Sequence, residues 1–152
     1  MPDRRILSID CDLHHIFGWM NKDTWFNYEG TDAINQALTF AIDCYPDTVL
    51  LEVASPVSAL RGMTQNRGVG FNLGKWMIYN IAFATEMALR FNAALLVAPS
   101  NVWTKGYPLK VRHELAGCTA KKKDLRECEA MQFFYRKEPD AWVSFPQFVR
   151  SL

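Results

Sequence analysis

The chain has 152 residues, the length of one domain and enough to bury a core. Hydrophobic residues make up 49% of it, aromatics 13% and charged residues 22%, a mix that excludes a disordered, collagenous or coiled-coil chain. Lys and Arg number 17 against 16 Asp and Glu, a net charge of +1, so any affinity for a polyanion has to come from local clustering.

Ile6-Leu7-Ser8-Ile9 is a short apolar run bounded by charge and reads as a buried strand. His15 to Met20 and Thr24 to Tyr28 are aromatic-rich and separated by Asn21-Lys22-Asp23, the pattern of a hairpin. Thr31 or Asp32 can cap a helix, and apolar residues from Ile34 to Tyr45 recur on one helical face until Pro46. Val49-Leu50-Leu51 reads as a fourth strand with Glu52 at its C-terminal end. A loop holding Pro56, Gly62, Gly68 and Gly70 leads into a long helix over 71–91, apolar on more than one side. Ala94 to Val97 is the fifth strand, stopped by Pro99. Residues 108–116 and 122–137 are helical in pattern, and Trp142 to Val149 reads as a last short helix. The order β-β-β-α-β-α-β-α-α predicts one α/β domain over residues 1–152. Its five-stranded mixed sheet has three antiparallel strands, then parallel crossovers, with helices on both faces.

Cys11, Cys44, Cys118 and Cys128 show no C-x-x-C spacing, which argues against zinc or redox chemistry. No apolar run approaches the ~20 residues of a membrane span, and Ile6 to Ile9 is too short for a signal peptide. A reducing, cytoplasmic setting with free thiols fits. Gly68 to Trp76 has the wrong spacing for a phosphate-binding loop. His14 and His15 are adjacent and would face opposite sides of a strand. His113 and Cys118 have no evident partners, and all of these read as structural.

The informative residues are acidic. Asp10 follows the first strand directly, and Glu52 ends the fourth. Ligand sites in open sheets gather at carboxyl ends of strands. Asp124 and Glu127, three apart on a helix, share a face. Each residue has an ordinary reading as a turn, a cap or a solvated helix face. Together they would form a carboxylate cluster whose mutual repulsion is relieved by a hard cation such as Mg²⁺ or Mn²⁺. Between Lys105 and Lys123 stand Lys105, Lys110, Arg112, Lys121, Lys122 and Lys123 against one acid, Glu114, a local asymmetry suited to phosphates. Arg61 and Arg67 in the Gly-rich loop are secondary candidates for the same contact.

Several pieces together resemble the ribonuclease-H-like fold, and within it the RuvC-type Holliday-junction resolvases. They are Ile9-Asp10 with Gly18-Trp19 on the second strand; Leu51-Glu52; Asn66-Arg67-Gly68 leading to Leu73-Gly74-Lys75; Pro99 to Lys105; and Lys121-Lys122-Lys123-Asp124. The resemblance spans roughly residues 5–137. It implies two-metal cleavage of branched DNA by a homodimer, with Asp10 bridging two Mg²⁺ or Mn²⁺ ions, Glu52 holding one and Asp124 with Glu127 the other. Lys105 would contact the scissile phosphate. The sequence departs from that family where Glu127 stands in place of an Asp, with Glu129 and Asp12 as competing ligands. The loop Val53 to Val57 also lacks the aromatic wedge of some members. A ribonuclease H or flap nuclease on the same fold, and a non-catalytic DNA- or partner-binding module, are the alternatives. The helix over 71–91 is expected either at a dimer interface or beneath residues 138–152.

Overall fold

The computed structural model describes residues 5–9, 16–18, 42, 45–53, 81–121 and 123–151, with the backbone alone at 16–18 and 123–125. The strands are β1 (Ile6–Ile9), β2 (Ile16–Gly18), β3 (Thr48–Val53), β4 (Ala94–Pro99) and β5 (Val143–Ser144). The helices are α1 (81–91), α2 (Ser100–Trp103), α3 (Leu109–Ala116), α4 (Lys123–Lys137) and α5 (Phe145–Ser151).

One mixed sheet runs in the order β2-β1-β3-β4-β5. β1 is antiparallel to β2 and parallel to β3, β3 is parallel to β4, and β4 is antiparallel to β5. β3 is buried at all six positions. A continuous apolar run is what a central parallel strand needs, because helices cover both of its faces.

Side chains alternate across a strand, so each strand feeds two cores. Leu7, Ile9, Val49, Leu51, Val53 and Val97 pack with Phe83, Ala84 and Met87 of α1. Ile6, Leu50 and Ala98 pack on the opposite side with Cys128, Met131, Phe134 and Tyr135 of α4, and with Trp103 and Trp142. The α/β architecture with helices on both faces is therefore as expected. α3 stops at Gly117, whose φ of 63° is the left-handed cap that a residue with a Cβ adopts only under strain.

Four of the five expected strands are present. The expected strand over Thr24 to Tyr28 lies outside the described residues, as does the expected helix from Thr31 to Tyr45 except for Ile42, which is helical, and Tyr45, which is not. Two boundaries differ from expectation. Glu52 sits inside β3, because the ladder continues through Glu52 with Ala98 and Val53 with Pro99. The helix expected from Trp142 starts only at Phe145, while Val143 and Ser144 pair with Val97 and Leu96 as an edge strand. Pro146 accounts for this, since proline is tolerated only in the first helical turn.

α5 lays Phe145 and Phe148 on the same core as Phe83 and Met87. α1 is thus covered on that side by the C-terminal residues. Leu89 on α1 remains 75% exposed.

Candidate active site

Glu52 occupies an even position of β3, so it shares the α4 side of the sheet with Leu50 and is only 4% exposed. Its Oε2 accepts a hydrogen bond from Trp103 Nε1. α2 follows β4 directly and drops Trp103 into the core at 1% exposure. There its ring lies 5.9 Å from Phe134 and stacks on Trp142 at 6.3 Å. A buried indole has to satisfy its N–H, and a carboxylate on the neighbouring strand is a strong acceptor for it.

Arg112 of α3 lies with its guanidinium 5.9 Å from the Trp103 ring centroid. It forks onto Glu127 of α4, Nε to Oε1 at 2.7 Å and Nη2 to Oε2 at 2.5 Å. These two side chains are 16% and 10% exposed. Nη1 also donates to the Tyr107 carbonyl at 3.0 Å. Both oxygens of Glu127, expected on a metal, are taken by the guanidinium, and Arg112, expected on DNA, is turned inward. The physical reason is that a buried carboxylate needs a counter-charge, and the planar fork of arginine matches it in a bidentate way.

His113 is buried beside this pair, with Nε2 3.6 Å from Glu127 Oε2 and no hydrogen-bond partner among the described residues. Burial holds its pKa below 6.5, against the pull of Glu127. Cys118, half-buried, donates through Sγ to the Arg126 carbonyl at 3.3 Å, and burial followed by Glu129 pushes its thiol up to about 12. Glu129 Oε2 accepts from the Thr119 backbone N–H at 2.9 Å, which ties that carboxylate to the turn before α4. Arg126 closes the same turn through the carbonyls of Ala120 and Lys121. Gln132 anchors α4 to the sheet, donating from Nε2 to the Ile6 carbonyl at 3.1 Å.

Lys105 stands in a tight turn after α2 with φ 54° and forms an ion pair with Glu138. Lys110 and Lys121 are exposed. Asp10, Asp12, Arg61, Arg67 and Lys122 lie outside the described residues, as do the side chains of Lys123 and Asp124. Among the described residues, no group of three or more His, Cys, Asp and Glu is gathered as a metal site. No helix among them is long and apolar enough to cross a membrane.

The structure thus joins Glu52, Trp103, Arg112, Glu127 and His113 into one buried polar chain behind the sheet. Trp103 was not anticipated as part of it. The one signal available for Trp103 was a large ring with an obligatory donor a few residues past a strand that pairs with the one carrying a buried acid.

No family model matches the chain, and no curated protein matches it. Among solved structures it is similar to T. thermophilus RuvC in complex with a Holliday junction substrate. The TM-score is 0.56 at 8% sequence identity, over 94% of this chain and 100% of that one. The likeness is one of fold: the chain has a fold similar to that of this RuvC structure.

Proposed function

We propose that the protein is a divalent-metal-dependent endonuclease acting on branched DNA, a Holliday-junction resolvase of the RuvC type. The observation that carries this reading is Glu52, a carboxylate 4% exposed within a sheet of RuvC-like topology. Asp10 is the residue after Ile9, and Ile9 pairs with Leu51, the residue before Glu52. That adjacency supports the two carboxylates serving one site. Position 124 is the second residue of α4, one turn before Cys128, on the helix that covers this side of the sheet.

An all-oxygen donor set of Asp10, Glu52 and Asp124 fits a hard cation. Two bound Mg²⁺ or Mn²⁺ ions would supply an activated water and stabilise the leaving oxygen of the phosphodiester. Trp103 holds one oxygen of Glu52 and so sets the orientation of that carboxylate. Glu127 acts through Arg112, locking α3 against α4. Lys105 exchanges Glu138 for a DNA phosphate, and Lys110 and Lys121 with Lys122 and Lys123 hold neighbouring phosphates, with Arg61 and Arg67 in support. Homodimerisation through the helix over 71–91 completes the reading, since a four-way junction offers two symmetric strands to cut.

The test is cleavage of a synthetic four-way junction in Mg²⁺, then in EDTA, beside flap, duplex and RNA–DNA hybrid substrates. Paired nicks across the junction that vanish in EDTA are expected. Preferential cutting of the hybrid would reassign the protein as a ribonuclease H. No turnover, together with no metal-linked rise in Tm, would leave a DNA- or partner-binding module.

A further inference from the structure

We infer that Tyr107 is a stacking platform for an unpaired DNA base. This rests on the reading of the protein as a DNA enzyme and adds a substrate contact to it.

Tyr107 is 42% exposed, the outer member of an aromatic row that runs inward through Phe134 to Trp103 and Trp142. Its ring lies 6.3 Å from Phe134, tilted by 35°. Its backbone is held at both ends: the N–H donates to the Thr104 carbonyl at 3.0 Å, and the carbonyl accepts from Arg112 Nη1 at 3.0 Å. Thr104 is itself tied to the Ser100 carbonyl through Oγ1 at 2.6 Å. The next residue is Pro108, with its ring-fixed φ of −59°. The ring is thus presented on a loop already ordered, so little conformational freedom is lost on binding.

The surroundings favour nucleic acid. Lys105 and Lys110 flank Tyr107 in sequence and are exposed, which suits a backbone passing on either side of a stacked base. A base in an intact duplex already stacks on its neighbours, so the platform takes bases that are unpaired, as at a branch point. Trp103, two ring contacts inward, donates to Glu52. A base seated on Tyr107 therefore extends the aromatic row that ends at Trp103, the donor to Glu52.

The experiment uses the full chain in EDTA, so that no cleavage occurs. Its probe is a junction carrying 2-aminopurine at an unpaired position, compared with the same label inside a duplex. Tyr107→Ala is expected to bind the unpaired probe about tenfold more weakly and to lose the fluorescence quenching, with duplex affinity unchanged. Tyr107→Phe and Tyr107→Trp are expected to keep wild-type binding. Binding of both probes by Tyr107→Ala as tight as by the wild type, or an equal loss on both, overturns the platform. So does a change in oligomeric state without a change in DNA affinity, which would make the ring a contact between copies. The two readings fail separately: selective loss in Tyr107→Ala with no metal-dependent cleavage by the wild type refutes the nuclease alone, and cleavage with unaltered binding refutes the platform alone.

Discussion

On the α1 side of the sheet, Leu7, Ile9, Val49, Leu51, Val53 and Val97 meet Phe83, Ala84 and Met87. On the α4 side, Ser8, Thr48 and Glu52 alternate with them along the same strands, and α4 brings Glu127 and Gln132 to that layer, all buried. Burial of polar groups costs free energy unless each is matched, so a fold optimised for stability alone would have made the two faces alike. The difference assigns them separate tasks: the α1 face holds the sheet together, and the α4 face carries a polar arrangement that the first makes affordable.

The largest expected effect lies on the α4 side. Asp10→Asn and Glu52→Gln should each lower junction cleavage by more than about a thousandfold, roughly 4 kcal/mol of transition-state stabilisation. Junction binding in EDTA should persist. Leu51→Ala, one residue away but facing α1, should cost about 2–5 kcal/mol of folding stability in a denaturant titration. Its turnover per folded molecule should be unchanged. Cleavage by Asp10→Asn at the wild-type rate would end the division of labour between the faces, and so would a Leu51→Ala protein that is stable yet inactive.

The Arg112–Glu127 pair sharpens the comparison because it tests whether the polar face is internally balanced. Arg112→Ala leaves a carboxylate 10% exposed without its guanidinium, at a cost of about 3 kcal/mol. Arg112→Lys should recover only part of this, since an ammonium cannot engage both oxygens in the same geometry. If Glu127 ligated metal instead, Glu127→Gln would abolish metal-linked stabilisation while Arg112→Ala would spare it. Trp103→Phe is a smaller change: it keeps an aromatic ring in the core and removes the N–H from Glu52. Metal affinity, read by the Tm shift on Mg²⁺ addition, should fall about tenfold.

Much of the apolar face was legible in the sequence. Ile6 to Ile9 and the run around Leu50 and Leu51 are recognisable because a strand covered on both faces is apolar at most of its positions. The helix over 122–137 was close to its observed bounds of Lys123–Lys137. Glu52 was found for the same reason in reverse, as a charge inside such a run. The partners on the polar face were not legible. Arg112 and Glu127 lie on different helices, and a count of cations between Lys105 and Lys123 treats every one as pointing outward. Nothing local tells an arginine bound for solvent from one bound for a buried carboxylate. Val143 and Ser144 escaped because a two-residue edge strand has no periodicity to read.

The smallest predicted effects concern the titrating groups between α3 and α4, and they separate the two faces by pH alone, since the described residues of the α1 core include nothing that ionises. An unfolded thiol ionises near its ordinary value of 9.0, whereas Cys118 in the folded chain holds its proton up to about 12. The stability this contributes is full below pH 9 and is lost as pH rises from there towards 12. His113 works at the other end. Its folded pKa lies below 6.5, so the unfolded chain takes up the proton first as pH falls, and destabilisation begins below 6.5 and is absent above it. In a series of Tm measurements from pH 5 to 11, Cys118→Ala should flatten the alkaline limb and leave the acid limb as in the wild type. Cys118 should also react with iodoacetamide at pH 8 far more slowly than an exposed thiol, because the thiolate is the reactive form. Alkaline limbs that superimpose for the two proteins would mean that the thiol is solvated, and that the turn joining α3 to α4 is not closed over it by Arg126 and Glu129.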